Sequence, residues 1–391
     1  MSISSQAGPA KSGQKPAKSS WWNDPKIRGI VLQAVTLGLV VLLLFIAISN
    51  ASNNLADRNI ARGFGFLGNK AGFDLVQSLI DFSKTDTYGR ALLVGFLNTF
   101  LVAIVGIIGA TTLGFLAGIA RLSKNVVISS IATVYVETIR NVPLLLQMLF
   151  WYIGVLGVLP APKNSIEPIK GAIFLNNRGL FIPQITFGGV TGWGVLIGLI
   201  VGIIAAILIS KWARARQLRT GQQFPTFWAG LGVIILLPII GFLGTGAEFT
   251  AAFPVKSTFN LSGGTRVIPE FVALVLALTI YTGVYIAEIV RAGILAVSHG
   301  QTEASHALGL SNGQTLRLVV IPQALRVIIP PLTNQYLNLT KNSSLAVAIG
   351  YPDLVYVGGT VLNQSGQAIE VISIWMLVYL GTSIIMATLM N

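Results

Sequence analysis

Long uncharged runs separated by short polar segments organise this chain. No charged residue occurs from Gly29 to Ala56, and about 20 apolar residues suffice to cross a hydrocarbon core. That run predicts a first membrane-spanning helix. Similar runs predict helices over 91–120, 130–158, 190–210, 226–246, 269–298, 324–345 and 368–390, eight in all. Pro330 and Pro331 lie inside the seventh. Proline removes a backbone donor and crowds the preceding turn, and in a bundle this predicts a kink rather than a break. Residues 1–26 read as a disordered basic tail that ends on Trp21, Trp22 and Lys26, a pairing of aromatic and cation suited to a membrane boundary. The rival reading is a cleaved signal peptide, for which both the apolar run and the tail before it are too long.

Composition agrees with this pattern. Of 391 residues only 10% are charged and 53% are apolar, against roughly 25% charged in an ordinary soluble domain. A soluble globule of this kind would expose very large apolar patches. A soluble enzyme is excluded, and the expected fold is an all-α polytopic membrane protein. The net charge of +13 does not indicate nucleic acid, because no basic run with interleaved aromatics occurs. The cations instead sit in short loops: Arg121 and Lys124, then Lys211, Arg214, Arg216 and Arg219. Dense short cationic loops mark the cytoplasmic side, so both termini and the segment 299–323 are expected there. The Lys211–Arg219 cluster reads as a solvated topology determinant or as a contact to lipid phosphate. With no Cys and only two His, His299 and His306, thiolate chemistry and His-rich metal sites are excluded. No catalytic residue is assigned. No Gly-x-x-x-x-Gly-Lys-Ser/Thr loop occurs, so the chain itself is expected to bind no nucleotide.

One polar segment is too patterned for a plain turn. Residues 300–322 read GQTEASHALGLSNGQTLRLVVIP. A short helix is expected from Glu303, ended by Gly309, since glycine accepts the left-handed conformation after a helix. Ala304, Ala307, Leu308 and Leu310 would give it a small apolar face for docking into a groove on a soluble partner. Glu303-Ala304-Ser305, then Gly309, then nine residues, then Val319-Val320-Ile321-Pro322 resembles the signature of bacterial ABC importer permeases. Ser305, Val319 and Ile321 depart mildly from the usual Ala, Ile and Leu. In that family the loop contacts the ATP-hydrolysing subunit.

The resemblance narrows elsewhere. Tyr135-Val-Glu-Thr-Ile-Arg-Asn-Val-Pro-Leu-Leu-Leu-Gln147, Tyr281-Thr-Gly-Val-Tyr-Ile-Ala-Glu-Ile-Val-Arg291, Pro322-Gln-Ala-Leu-Arg326, Pro330-Pro-Leu-Thr-Asn334 and Lys341-Asn-Ser-Ser-Leu-Ala346 resemble the five-helix core of the polar amino-acid permease subgroup. Asn342 and Ser343 stand where that subgroup often has an acidic or Thr-type residue. The core would occupy 91–157 and 269–391. The N-terminal helix with its periplasmic segment (27–90) and an insertion with two extra helices (158–268) lie outside it. A chain this long, with these additions, resembles the larger membrane subunits of general L-amino-acid ABC transporters. The four prolines of 158–189 mark an outer segment suited to contact with a soluble binding protein. The apolar run reaching Asn391 without a cationic stop would fit a short further tail.

Charges inside membrane helices are costly and are usually paired or functional. Glu137 with Arg140, and Glu288 with Arg291, are spaced i, i+3, so each pair is expected to bond within its own helix. They read either as a static clamp near the cytoplasmic boundary or as a gate network. Glu137, Arg140, Leu144, Gln147 and Trp151 share a helical spacing, as do Tyr281, Tyr285 and Glu288, and Asn334, Asn338 and Lys341. Such polar stripes are expected to face the bundle interior. They read as a pathway for a zwitterion, with Arg or Lys for its carboxylate and Glu or Tyr for its ammonium, or as interhelical hydrogen bonds. Gly106, Gly109, Gly114 and Gly118 read as small residues for close helix packing.

The resemblance implies a permease subunit importing L-amino acids across a bacterial inner membrane, with no cofactor of its own. The implied partners are the lipid bilayer, a second permease subunit in a heterodimer, a periplasmic amino-acid-binding protein and an ABC ATPase dimer holding ATP and Mg. Alternatives are an ABC permease for another small polar solute, an ion-coupled secondary transporter, or a membrane scaffold.

Overall fold

The structure, a computed structural model, describes residues 25–57, 63–257 and 261–390. Most of the expected basic tail, with Trp21 and Trp22, lies outside the described residues. The helices in chain order are α1 (Pro25–Asp57), α2 (Tyr88–Arg121), α3 (Val126–Arg140), α4 (Leu144–Leu149), α5 (Gly189–Thr220) and α6 (Thr226–Gly244). They continue with α7 (Pro269–Leu295), α8 (His299–Ala307), α9 (Asn312–Thr315), α10 (Ile321–Asn342), α11 (Leu354–Ser365) and α12 (Ala368–Met390). Among the described residues seven helical runs are long and apolar enough to span a membrane, and a bent pair makes an eighth. These match the eight expected runs one for one.

The third run differs from the expected single rod over 130–158. α3 stops at Arg140, and α4 continues through π-helical turns to Leu156 at an angle of 105°. Pro143 supplies the physical reason, since it offers no amide hydrogen and disfavours a helical residue before it. Gln147, buried, braces the corner by donating to the Ile139 carbonyl (3.1 Å) and the Val142 carbonyl (2.9 Å). The stripe expected to run straight from Glu137 to Trp151 is therefore split in two. By contrast α10 runs unbroken through Pro330 and Pro331.

The core sits where α2 crosses α7, with α10 against both. Close approach decides that packing. A β-carbon on Gly114 would lie 2.5 Å from Ile286, and one on Gly118 would lie 2.8 Å from the Ala287 carbonyl. The expected role of these glycines as small packing residues is what the structure shows. Tyr336 of α10 bonds Thr111 of α2 at 2.8 Å. Asn98 of α2 donates to the Gln77 and Pro352 carbonyls, both at 2.9 Å, which ties the 63–87 segment and the start of α11 to the bundle. α11, which no expectation included, is capped by Asp353, whose side chain accepts from the Tyr356 amide at 2.8 Å.

The fold is mostly helical, as expected, and the insertion adds a small β module to it. β1 (Ile166–Ile169), β2 (Ile173–Asn176), β3 (Gly179–Ile182) and β8 (Thr265–Val267) form one antiparallel sheet in the order β1-β2-β3-β8. β4 (Gln184–Phe187) pairs with β5 (Phe249–Ala252), and β6 (Val255–Lys256) with β7 (Leu261–Ser262). Phe174, Phe181 and Leu261 form the module's own apolar core. Lys256 pairs with Glu167 at 2.6 Å and lies over the Phe174 ring. The Glu167 carboxyl is held below its ordinary value, first by the hydrogen bond from Lys256 and then by one from the Gly171 amide. α5 and α6 pack mainly on each other and carry this module at one end.

Candidate transport site

Four charged side chains from three helices converge at the end of the bundle from which α8 departs. Arg121, the last residue of α2, bonds Glu288 of α7 and lies 3.8 Å from Glu137 of α3. Arg140 of α3 reaches Glu137 at 3.2 Å and Glu288 at 3.7 Å. Two guanidiniums thus interleave with two carboxylates. The expected i, i+3 pair Glu137–Arg140 forms. The expected pair Glu288–Arg291 is corrected: Glu288 turns toward α2 and α3, and no ion pair involves Arg291 among the described residues. Arg121 is 10% exposed at its side chain, although its sequence position reads as a loop. Glu288 lies seven positions, about 10 Å along the axis of α7, from Tyr281.

At that higher level a polar cavity of about 340 Å³ opens between α7 and α10. Its lining is Tyr281, Thr282, Tyr285, Gln335, Asn338 and Asn342. The Tyr285 hydroxyl donates to the Tyr281 hydroxyl at 3.1 Å, and the two rings stand edge to face. All six lining side chains carry a hydroxyl or an amide, so each offers both a donor and an acceptor, and none is an acidic or basic residue. The lining suits a small polar solute whose charges are met by dipoles.

The third expected stripe does not turn inward as a unit. Asn334, Asn338 and Lys341 are all exposed on the surface of the single chain. Asn338 borders the polar cavity, whereas Lys341 borders a different one of about 420 Å³ with Ser344, Trp375 and Tyr379. The rotation of α10 gives its interior face to Ile328, Leu332, Tyr336 and Leu339 instead. Gln147 serves the α3–α4 corner and not this cavity.

The polar segment 300–322 is helical over most of its length. α8 begins at His299, four residues before the expected start at Glu303, and Glu303 meets His299 at 3.0 Å. Gly309 has φ 80° and ends the helix as expected. Its amide bonds the His306 carbonyl at 2.9 Å while the Leu310 amide reaches the Ser305 carbonyl at 3.1 Å, a paired closure typical of a left-handed C-terminal glycine. Ser305 is buried, whereas Ala304, Ala307 and Leu308 are exposed, with Leu308 at 82%. α9 follows with a reciprocal Ser311–Gln314 capping box, and π-helical turns lead into α10, where Pro322 sits in the first turn.

A bundle with this hairpin and this cavity has known relatives. Residues 198–391 match the family described as "Binding-protein-dependent transport system inner membrane component". The General L-amino acid transport system permease protein AapQ of Rhizobium johnstonii is 54% identical over 369 residues, covering 94% of this chain and 92% of that protein. The chain belongs to this family of inner-membrane transport components. The Putative amino-acid ABC transporter permease protein YhdX of Escherichia coli is 46% identical, covering 94% of this chain and 93% of that protein. The Glutamate/glutamine/aspartate/asparagine transport system permease protein BztB of Rhodobacter capsulatus is 43% identical over 92% of each.

In this permease the sequence reading missed Arg121, Thr282, Gln335 and Asn342 as site residues. Gln335 and Asn342 were findable: with Asn338 they fall at spacings of 3 and 4 on one helical face. Arg121 carried no such signal, because its partners are 16 and 167 residues away.

Proposed function

We propose that this permease subunit imports L-amino acids, driven by ATP hydrolysis in a separate subunit that grips α8. The observation carrying this reading is the exposed apolar side of α8, with Leu308 in solvent next to the rigid Gly309 turn. An apolar helix face outside the bilayer calls for a protein partner. ATP and Mg belong to that ATPase dimer, and this chain holds no cofactor. A second permease subunit covers the polar face of α10 with Asn334, Asn338 and Lys341, since unpaired amides and an ammonium facing lipid are costly. A periplasmic amino-acid-binding protein delivers substrate to the face bearing the β module. Both termini, α8 and the four-charge cluster are cytoplasmic, in keeping with the cations at Arg121, Lys124 and Lys211–Arg219.

Movement of α8 is transmitted to α7 and α10, which it joins, so the Tyr281–Asn338 cavity opens to one side or the other as a two-state shift. The charge cluster closes the cytoplasmic side in one of these states. The relatives named as amino-acid permeases, and the neutral polar lining of the cavity, support a zwitterionic amino acid as cargo.

Reconstitution into vesicles with an ATPase, a second permease and a binding protein tests the reading. ATP-dependent uptake of an L-amino acid is expected. Glu303→Lys and Gly309→Val should abolish uptake while leaving the membrane helices folded. Uptake unchanged by both variants, or driven by an ion gradient without ATP, overturns it.

A further inference from the structure

The cytoplasmic end of the α5–α6 hairpin is unused by the transport reading. α5 has 32 residues, which is about 48 Å of helix, more than a bilayer core requires. Its last eleven residues leave the apolar span and carry Lys211, Arg214, Arg216 and Arg219. No Asp or Glu occurs between Gly189 and Ala247, and none of the four cations forms an ion pair among the described residues. An aromatic layer lies at the same level. Trp212 meets Phe224 edge to face at 5.3 Å, and Phe227 meets Trp228 at 5.2 Å. The Arg216 guanidinium stacks over the Trp212 ring at 5.5 Å and donates to the Gln222 side chain at 2.8 Å. Gly221, at φ 70°, turns the chain so that Phe224 reaches Trp212.

Two features make this more than a topology marker. Arg216 is held in place by an aromatic face and an amide, with guanidinium donors to spare, and Arg recognises phosphate oxygens through paired donors. The aromatic layer fixes the depth at which this happens, because Trp at a membrane boundary sits at headgroup level. We propose that Arg216 and Arg219, backed by Lys211 and Arg214, bind the headgroup phosphate of an anionic phospholipid. The lipid then holds the tilt of a hairpin whose helices pack mainly on each other.

The test uses the full-length chain in nanodiscs of phosphatidylcholine with and without phosphatidylglycerol, reading retained lipid by native mass spectrometry. Each cation near an anionic surface contributes roughly fivefold in affinity. Wild type should therefore retain phosphatidylglycerol over phosphatidylcholine, and R216Q/R219Q should lower that preference about tenfold or more. R216K/R219K keeps the charge and loses the paired donors, so a smaller fall of about threefold is expected. Lys211 and Arg214 remain in both variants to direct insertion. If R216Q/R219Q fails to insert, the wild-type preference must still fall as salt rises, because screening weakens exposed charge pairs. Equal retention in wild type and R216Q/R219Q, or a preference unmoved by salt, overturns the proposal. So does protection of Lys211 from amine labelling by a protein partner in the assembled transporter. Neither readout involves uptake, so the outcome is independent of the transport reading.

Discussion

The Arg121 guanidinium bonds the Glu288 carboxylate across the seam between α2 and α7. Arg121 is mostly enclosed, and Arg140 reaches the same Glu288 oxygen at 3.7 Å. Removing Arg121 leaves the Glu288 carboxylate with only the longer Arg140 contact at 3.7 Å, whereas neutralising both partners leaves no such mismatch. Arg121→Ala is expected to destabilise the detergent-solubilised protein by about 2–3 kcal/mol, seen as a lower thermal midpoint. Adding Glu288→Gln should recover part of the loss. Additive losses in this double-mutant cycle would show that the pair is not coupled.

The α2–α7 crossing predicts a steep size limit at one position. Gly114 faces Ile286 so closely that even one methyl would intrude. Overpacking costs about 1–3 kcal/mol, so Gly114→Ala should lower the melting temperature by several degrees, and Gly114→Leu should prevent stable purification. Gly232, with open space around it, should tolerate Ala. Equal tolerance at both positions would contradict the packing described.

Neutral dipoles line the cavity, so single deletions there should weaken substrate without stopping the motor. A lost hydrogen bond is worth about 0.5–1.5 kcal/mol. Asn338→Ala and Tyr285→Phe are each expected to raise the half-saturating substrate concentration about 3–10-fold in reconstituted vesicles, with ATP hydrolysis largely retained. Lys341→Ala, which borders another cavity, should change it less. A larger effect at Lys341 would move the substrate to the α10–α12 side.

In the β module the hydrogen bond from Lys256 lowers the Glu167 pKa. A depressed folded value means that this contact contributes above the unfolded pKa and is lost as pH falls through the folded one. A carboxylate titration followed by NMR should place Glu167 below the ordinary glutamate range. Lys256→Met should bring it back up. An unchanged midpoint would mean that the pair does not persist in solution.

The β module and the bend show how legible the rest was. Phe174–Asn176 and Gly179–Ile182 pair across Asn177 and Arg178, with Gly179 at φ 128° just after the turn, and the short apolar runs on either side, bounded by Asn and Gly, carry a strand signal. The four prolines of 158–189 mask that signal, because proline is disfavoured within strands and makes the segment read as a loop. The α3–α4 corner is also marked, by Pro143, yet the largely apolar run around it, with only Glu137 and Arg140 charged, reads as one span. Hydropathy averages over a window and does not register direction.

What the sequence determined by itself is local. Uncharged or sparsely charged runs of membrane length give the eight spans, because the bilayer tests each segment for its own apolarity. Gly309 ends α8 where expected, because a left-handed turn depends on one residue's backbone. Tertiary structure alone decided that Arg121 belongs with Glu288, that Gln147 braces a corner, and that Lys341 and Asn338 border different cavities. Each of these depends on how far one helix is rotated against another, and that rotation is fixed by packing at residues such as Gly114 and Ile286, far apart in the chain.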